Sequence, residues 1–202
     1  MRSFLQPADL FHHRWSVPIL AELYRSSGSR FVVMANQLGI SPDSLHHTLD
    51  ALMRHRWIRR NPGYGHPLRP EYILTPTGAT LAPGCSRLLK LLQSIEFEEV
   101  GLRKWPMPVL LAIQTGRERF SDLKASLRGI TSRALTLALK DLQTAGLIER
   151  TILDEYPPTT RYKLTGKGRR VGNVLGHLCG TLPPGGGTGA RSSWPILLYA
   201  PA

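Results

Sequence analysis

Apolar positions in the second half of the chain recur with a helical period, then switch to a strand-like one. Leu135, Ala138, Leu139 and Leu142 fall at i, i+3, i+4 and i+7, which predicts one buried stripe on a helix. Thr131 or Ser132 stands where its N-cap belongs, and Ala145-Gly146 closes it, with glycine as the left-handed stop. Two shorter helices are predicted upstream. One is the apolar run Pro106–Gln114, broken by Thr115-Gly116. The other spans about Ser121–Leu127, from the spacing of Phe120, Leu123 and Leu127. Downstream, residues 147–152 are rich in β-formers and predict a strand, Tyr156-Pro157-Pro158-Thr159-Thr160 a hairpin tip, and Arg161–Thr165, alternating polar and apolar, a half-buried strand. Gly166 to about Cys179 predicts a last helix.

The first half carries the same order. Helices are predicted near Val17–Tyr24, Val32–Gln37 and Pro42–Arg56, strands near Trp57–Asn61 and Glu71–Thr75, and a longer helix over about Leu81–Glu99 that leads into the second half. The likeness extends to residue identity at a nearly constant offset of 90: Trp15 with Trp105, Gly39-Ile40-Ser41 with Gly129-Ile130-Thr131, Ile58 with Ile148, Arg60 with Arg150, and Tyr72-Ile73-Leu74-Thr75 with Tyr162-Lys163-Leu164-Thr165. Phe31 and Phe120 slip by one residue. A unit of about 90 residues is too long for a solenoid repeat and long enough for a core of its own. The expected fold is mainly α with small β-hairpins, an α+β arrangement of two tandem winged-helix domains forming an intrachain pseudo-dimer. Residues 1–100 form the first domain with its connecting helix, 101–180 the second, and 181–202 a Gly/Pro-rich tail ending in an apolar tag.

Charge narrows the class of partner. The chain of 202 residues carries +12, divided unevenly. Residues 1–100 hold 11 Lys/Arg and 8 Asp/Glu, net +3, and residues 101–202 hold 15 and 6, net +9. A basic surface attracts polyanions through counterion release. No apolar stretch reaches the 18 residues of a bilayer span, and the start of the chain lacks the apolar run of a signal peptide. A cytoplasmic, nucleoid-associated location with no membrane partner is expected. Cys85 and Cys179 make neither a disulfide framework nor a zinc spacing. Adjacent histidines on a helix point about 100° apart and chelate one ion poorly, so His12-His13 and His46-His47 predict no metal site, and no cofactor is expected. A phosphate loop, Gly-x-Ser-x-Gly and His-Glu-x-x-His are all missing, which points away from an enzyme.

Three helices and a hairpin make a winged helix, whose third helix fits the major groove of double-stranded DNA while the hairpin lies over backbone or minor groove. In the second copy the face left outside the apolar stripe holds Thr131, Ser132, Arg133, Thr136, Leu137 and Lys140. Thr131 and Ser132 offer hydroxyls and helix N-terminal N–H groups to a phosphate, and Arg133 and Thr136 are candidates for base edges. Arg150, Arg161 and Lys163 are candidates for phosphates around the wing. In the first copy the candidates are Ser41, Ser44, His46 and His47, with Arg60 and Arg69 on the strand and wing. Asp43 and Asp50 share that helix face and repel phosphate, so this copy is expected to bind backbone mainly through its wing.

These residues carry a family likeness. Each copy resembles a winged-helix domain of the HxlR type, close to the MarR regulators. The resemblance rests on Arg103-Lys104-Trp105, Arg119-Phe120-Ser121-Asp122-Leu123, the run Gly129–Thr136, Gly146-Leu147-Ile148-Glu149-Arg150, Tyr156-Pro157-Pro158 and Tyr162–Gly168. It covers about residues 10–180 and is tighter in the second copy. It implies a transcription regulator, in a family whose members usually pair as homodimers through terminal helices. Here two copies are fused, so one chain imitates the dimer, although homodimerisation stays open. The cysteine common near the start of such domains is absent from Leu10-Phe11-His12-His13-Arg14. An alternative is a small-molecule (aromatic drug) binding or self-resistance protein on the same scaffold. Trp15, Trp57, Tyr64 and Trp105 would then wall a pocket between the copies, and a small-molecule effector is compatible with DNA binding.

Overall fold

The computed structural model describes residues 7–61, 71–154, 156 and 158–180. Arg69, Tyr64 and the tail from residue 181 lie outside the described residues. The fold is mainly helical with two small antiparallel sheets. The first copy runs α1 (Pro7–Leu10), α2 (Ser16–Ser26), β1 (Ser29–Arg30), α3 (Phe31–Leu38), α4 (Pro42–Arg54), β2 (Ile58–Asn61), β3 (Glu71–Leu74) and α5 (Pro76–Ser94). The second runs α6 (Glu98–Gly101), α7 (Pro106–Gln114), α8 (Phe120–Ser126), α9 (Ser132–Thr144), β4 (Ile148–Leu153), β5 (Thr159–Leu164) and α10 (Gly166–Leu178).

The helix–helix–helix–hairpin–helix order stands in both copies, and the predicted stripe of α9 is buried: Leu135, Ala138, Leu139 and Leu142 are all at most 3% exposed. The chain leaves α9 as expected, with Gly146 at φ +67 and the Leu147 N–H donating back to the Leu142 carbonyl at 2.9 Å.

The long connecting helix differs from its expected limits. It begins at Pro76, five residues before Leu81, and ends at Ser94, with Glu98–Gly101 as a separate turn. Its early glycines and Pro83 hide the helical period, yet Thr75 caps it and accepts from the Gly78 N–H at 3.1 Å. At its far end Glu96 takes φ +55 and turns the chain off the helix axis. Two short elements, α1 and β1, carry no periodic signal. The two residues of β1 pair with β3 and make the first sheet three-stranded, order β1-β3-β2, while the second copy keeps a two-stranded hairpin and a single bridge between Arg119 and Arg161.

One continuous apolar core runs through both copies. Within the first, α2 lies along α5; within the second, α7 packs on α9 and α10. The copies meet where α5 packs against α10. The approach is close, because a methyl group on Gly84 would sit 2.7 Å from a Leu178 methyl. Cys85 and Cys179 are buried near this contact as free thiols, Cys85 within α5 and Cys179 at the C-cap of α10. Burial pushes both up to about 12. Among the described residues no helix is long and apolar enough to cross a membrane, and no group of three His, Cys, Asp or Glu is placed to hold a metal ion.

Candidate nucleic-acid interface

The outward face of α9 is built from its first residue. Thr131 takes an extended backbone at the N-cap and accepts from the Ala134 N–H at 3.1 Å, so its hydroxyl is committed to the helix. With the apolar stripe fixed inward, Ser132, Arg133, Thr136, Leu137 and Lys140 are left exposed. The Thr136 hydroxyl donates to the Ser132 carbonyl at 2.9 Å, which leaves its oxygen as an acceptor. Lys124 of α8 donates to the Ser132 hydroxyl at 2.7 Å, bringing an ammonium to the start of α9. Sequence reasoning missed Lys124. The signal lay in the repeat, since the aligned residue of the first copy is Ala35.

The wing divides its basic residues between two faces. In the β4–β5 register Arg150 stands opposite Tyr162, Thr151 opposite Arg161, and Glu149 opposite Lys163. Side chains alternate along a strand, so Arg161 and Lys163 share one face and Arg150 lies on the other. Arg150 and Lys163 are exposed, whereas Arg161 is half-buried and forms an ion pair with Glu118 at 3.8 Å. Two large apolar side chains stand exposed on this hairpin: Ile152 is 63% exposed, and Tyr156 at the tip is fully exposed.

The first copy presents the same scaffold with other chemistry. Ser41 caps α4, accepting from the Ser44 N–H at 3.4 Å, and its hydroxyl donates to that of half-buried Ser44 at 2.9 Å. Exposed along the helix are Pro42, Asp43, His46, His47 and Asp50. The His46 ring meets Phe31 edge-on at 5.6 Å. His13, on the turn before α2, is held below the usual histidine range by burial first, then by neighbouring His12, Arg54, His47 and His55. Arg60 is exposed on β2, its guanidinium 5.8 Å from the Tyr72 ring.

Trp15, Trp57 and Trp105 do not share one pocket. Trp15 is half-buried beneath the Arg14 guanidinium at 5.3 Å and borders an open depression of about 520 Å³ with Leu38, Glu96, Glu98, Glu99 and Leu102. Trp57 is 5% exposed and stacks on His55 at 4.6 Å. Trp105 lies half-buried under the Lys104 ammonium at 5.1 Å. Neither Trp57 nor Trp105 lines the depression beside Trp15.

Comparison with known proteins follows the repeat. Residues 10–98 and, separately, 100–182 match the family described as HxlR-like helix-turn-helix. Over 85 residues the chain is 39% identical to an HTH-type transcriptional regulator of Methanothermobacter thermautotrophicus, a match covering 42% of this chain and 64% of that relative. Over 76 residues it is 30% identical to the HTH-type transcriptional regulator YvaP of Bacillus subtilis, covering 38% and 70%. The chain thus spans about two thirds of the length of these relatives. Among solved structures, a MarR-family transcriptional regulator from Enterococcus faecalis V583 is similar with 29% identity and a TM-score of 0.38, over 48% of this chain and 82% of that one.

Proposed function

The chain belongs to the HxlR-like helix-turn-helix family, the family of transcription regulators, and from that premise we propose that it is a double-stranded-DNA-binding regulator acting as a single-chain pseudo-dimer, with one domain in residues 1–100 and a second in 101–180. In the second domain α9 enters the major groove. Arg133 and Thr136 face base edges there, while Ser132, Lys124 and Lys140 meet phosphates. Lys163 and Arg150 hold the backbone on either side of the hairpin, and the exposed Tyr156 at its tip reaches the minor groove. Arg161 serves the hairpin through Glu118. In the first domain the backbone is held by Arg60 and the wing, with Ser41, Ser44, His46 and His47 at the groove. The packing of α5 on α10 supports the pseudo-dimer, because the helices that would pair two chains already pair within one.

One observation carries this reading. The exposed face of α9 places Arg133 at the helix's second position, where the positive end of the helix dipole disfavours a cation. An arginine that works against its own helix is explained by an external anion. The test is a fluorescence-anisotropy titration of a 30-bp duplex, including the region upstream of the chain's own gene, from low to physiological salt. With about four to six phosphates neutralised, log K falls with log salt at a slope of about −3.6 to −5.4. Arg133→Ala and Lys140→Ala each weaken binding, and Lys140→Ala shallows the slope by about 1. A chain that ignores every duplex at low salt overturns the proposal.

The depression beside Trp15 favours a second, compatible role as an effector site. The Trp15 indole and the carboxylates of Glu96, Glu98 and Glu99 suit a planar aromatic cation that takes the place of the Arg14 guanidinium over the ring. Quenching of tryptophan fluorescence by such a compound, lost in Trp15→Leu but kept in Trp105→Leu, tests it.

A further inference from the structure

The two recognition helices are built on one template and carry opposite charge. Residues 41–50 and 131–140 follow the same sequence of exposed, half-buried and buried positions. Six aligned sites are exposed in both copies: Ser41 with Thr131, Pro42 with Ser132, Asp43 with Arg133, His46 with Thr136, His47 with Leu137, and Asp50 with Lys140. The scaffold is matched and the chemistry is not. At two of the six sites a carboxylate stands where the other copy has a cation, so the two faces differ by four charges.

Palindromic sites arise because a symmetric dimer offers the same helix face to each half-site. This chain cannot do so. Its copies are covalently joined, their α5 and α10 helices pack against each other, and their reading faces have unlike charge. Resting on the DNA-binding reading above, we infer that the chain recognises a non-palindromic site of two unlike half-sites. The half under α9 carries guanine opposite Arg133, the pairing favoured by a guanidinium facing O6 and N7. The half under α4 does not repeat that guanine. At the matching register Asp43 repels the electronegative guanine edge and accepts from a cytosine amine. Asp43, Asp50, Arg133 and Lys140 are therefore the residues that set the asymmetry. The charge contrast also orders the halves, since the α9 half supplies most of the affinity and the α4 half chiefly selects.

The experiment is selection from a random duplex library with the full chain, followed by anisotropy on three duplexes: the selected site, a palindrome of its α9 half and a palindrome of its α4 half. The selected site is expected to bind at least ten-fold tighter than either palindrome. The double variant Asp43→Arg, Asp50→Lys should shift preference to the α9 palindrome and steepen the salt slope by about 1. The reciprocal variant Arg133→Asp, Lys140→Asp should lose the guanine preference. All four positions are exposed, and a cooperative melting transition within a few degrees of wild type confirms that each variant is folded. A selected site that is palindromic, wild-type binding to the α9 palindrome within two-fold of the selected site, or a selected site with a single half overturns the inference while leaving DNA binding intact. Failure to enrich any duplex overturns the DNA-binding reading itself, and the inference with it.

Discussion

A methyl group at Gly168 should unlatch the second wing from the recognition helix. The Gly168 Cα lies against the Leu147 carbonyl so closely that an alanine Cβ would fall 1.9 Å from its oxygen. Ordinary contact needs more than 3 Å, and the obstacle is backbone, so α10 and the start of the wing must separate by about 1 Å. Three hydrogen bonds cross this gap or depend on it. The Thr165 N–H donates to the Leu147 carbonyl at 3.1 Å, the Thr165 hydroxyl donates to the Gly146 carbonyl at 2.7 Å, and the Gly168 N–H donates to that hydroxyl at 3.0 Å. At about 1 kcal/mol each, their loss costs about 3 kcal/mol. The better helix propensity of alanine returns nearly 1, leaving a net destabilisation of about 2 kcal/mol. For a domain of this size that lowers the melting temperature by roughly 10 °C. Urea unfolding followed by far-ultraviolet circular dichroism and tryptophan fluorescence measures it. The repeat supplies a replicate: at Gly78 a Cβ would fall 1.8 Å from the Trp57 oxygen, with Thr75 bonded to the Arg56 and Trp57 carbonyls in the same way. Gly166 supplies the control, since a Cβ there meets nothing within 4 Å and alanine should be neutral or better. If Gly168→Ala loses less than 1 kcal/mol, the latch does not hold the wing as argued.

Thr131→Ala should cost about 1 kcal/mol as a lost N-cap, and Ser41→Ala less, because the Ala134 N–H approaches its cap at 3.1 Å and the Ser44 N–H at only 3.4 Å; thermal melts of the two variants compare them directly. Cys85 and Cys179 should resist iodoacetamide in the native chain at pH 8 and react together in urea, since burial raises both to about 12 and the thiolate is the reactive form. The sign for stability follows: a folded value raised above the ordinary 9.0 gives a contribution that is complete below pH 9 and is lost as pH rises from 9 towards 12, measurable by urea titration at stepped pH. Arg133→Asp should stabilise the chain by about 0.5 kcal/mol through the helix dipole while weakening duplex binding at least ten-fold, so paired melting and anisotropy data that move together would refute the charge argument. Static light scattering should give a monomer of 22.5 kDa at micromolar concentration if α5 and α10 satisfy each other within one chain.

How much of this was legible in the sequence depended on whether a residue's role was set locally. The α9 stripe, its N-cap and its glycine stop are decided within a few residues, and Pro106–Gln114 was placed to the residue. The start of α5 was not legible, because Gly78 is required by the Trp57 carbonyl, 21 positions away, and glycine in a sequence otherwise argues against a helix. The same held for charge. Arg161 reads as a free wing cation in a linear pattern, and only the fold brings Glu118 to it; Trp57 reads as a candidate pocket wall until β2 and β3 bury it.

What the repeat adds is a contrast that no single copy contains. Asp43 alone is an ordinary helix-start carboxylate, placed where the dipole favours it, and asks for no function. Arg133, in the same position on the same scaffold, breaks that local rule. Departures from local consistency concentrate where function outweighs stability, so the second copy is the one shaped against its own folding preferences. The two copies share the buried leucines that hold a reading helix in place, Leu45, Leu49 and Leu52 against Leu135, Leu139 and Leu142, and differ in the exposed residues that decide what it reads. Conversion of what one reads into what the other reads should therefore need changes at those exposed sites alone, with the leucine stripe left untouched.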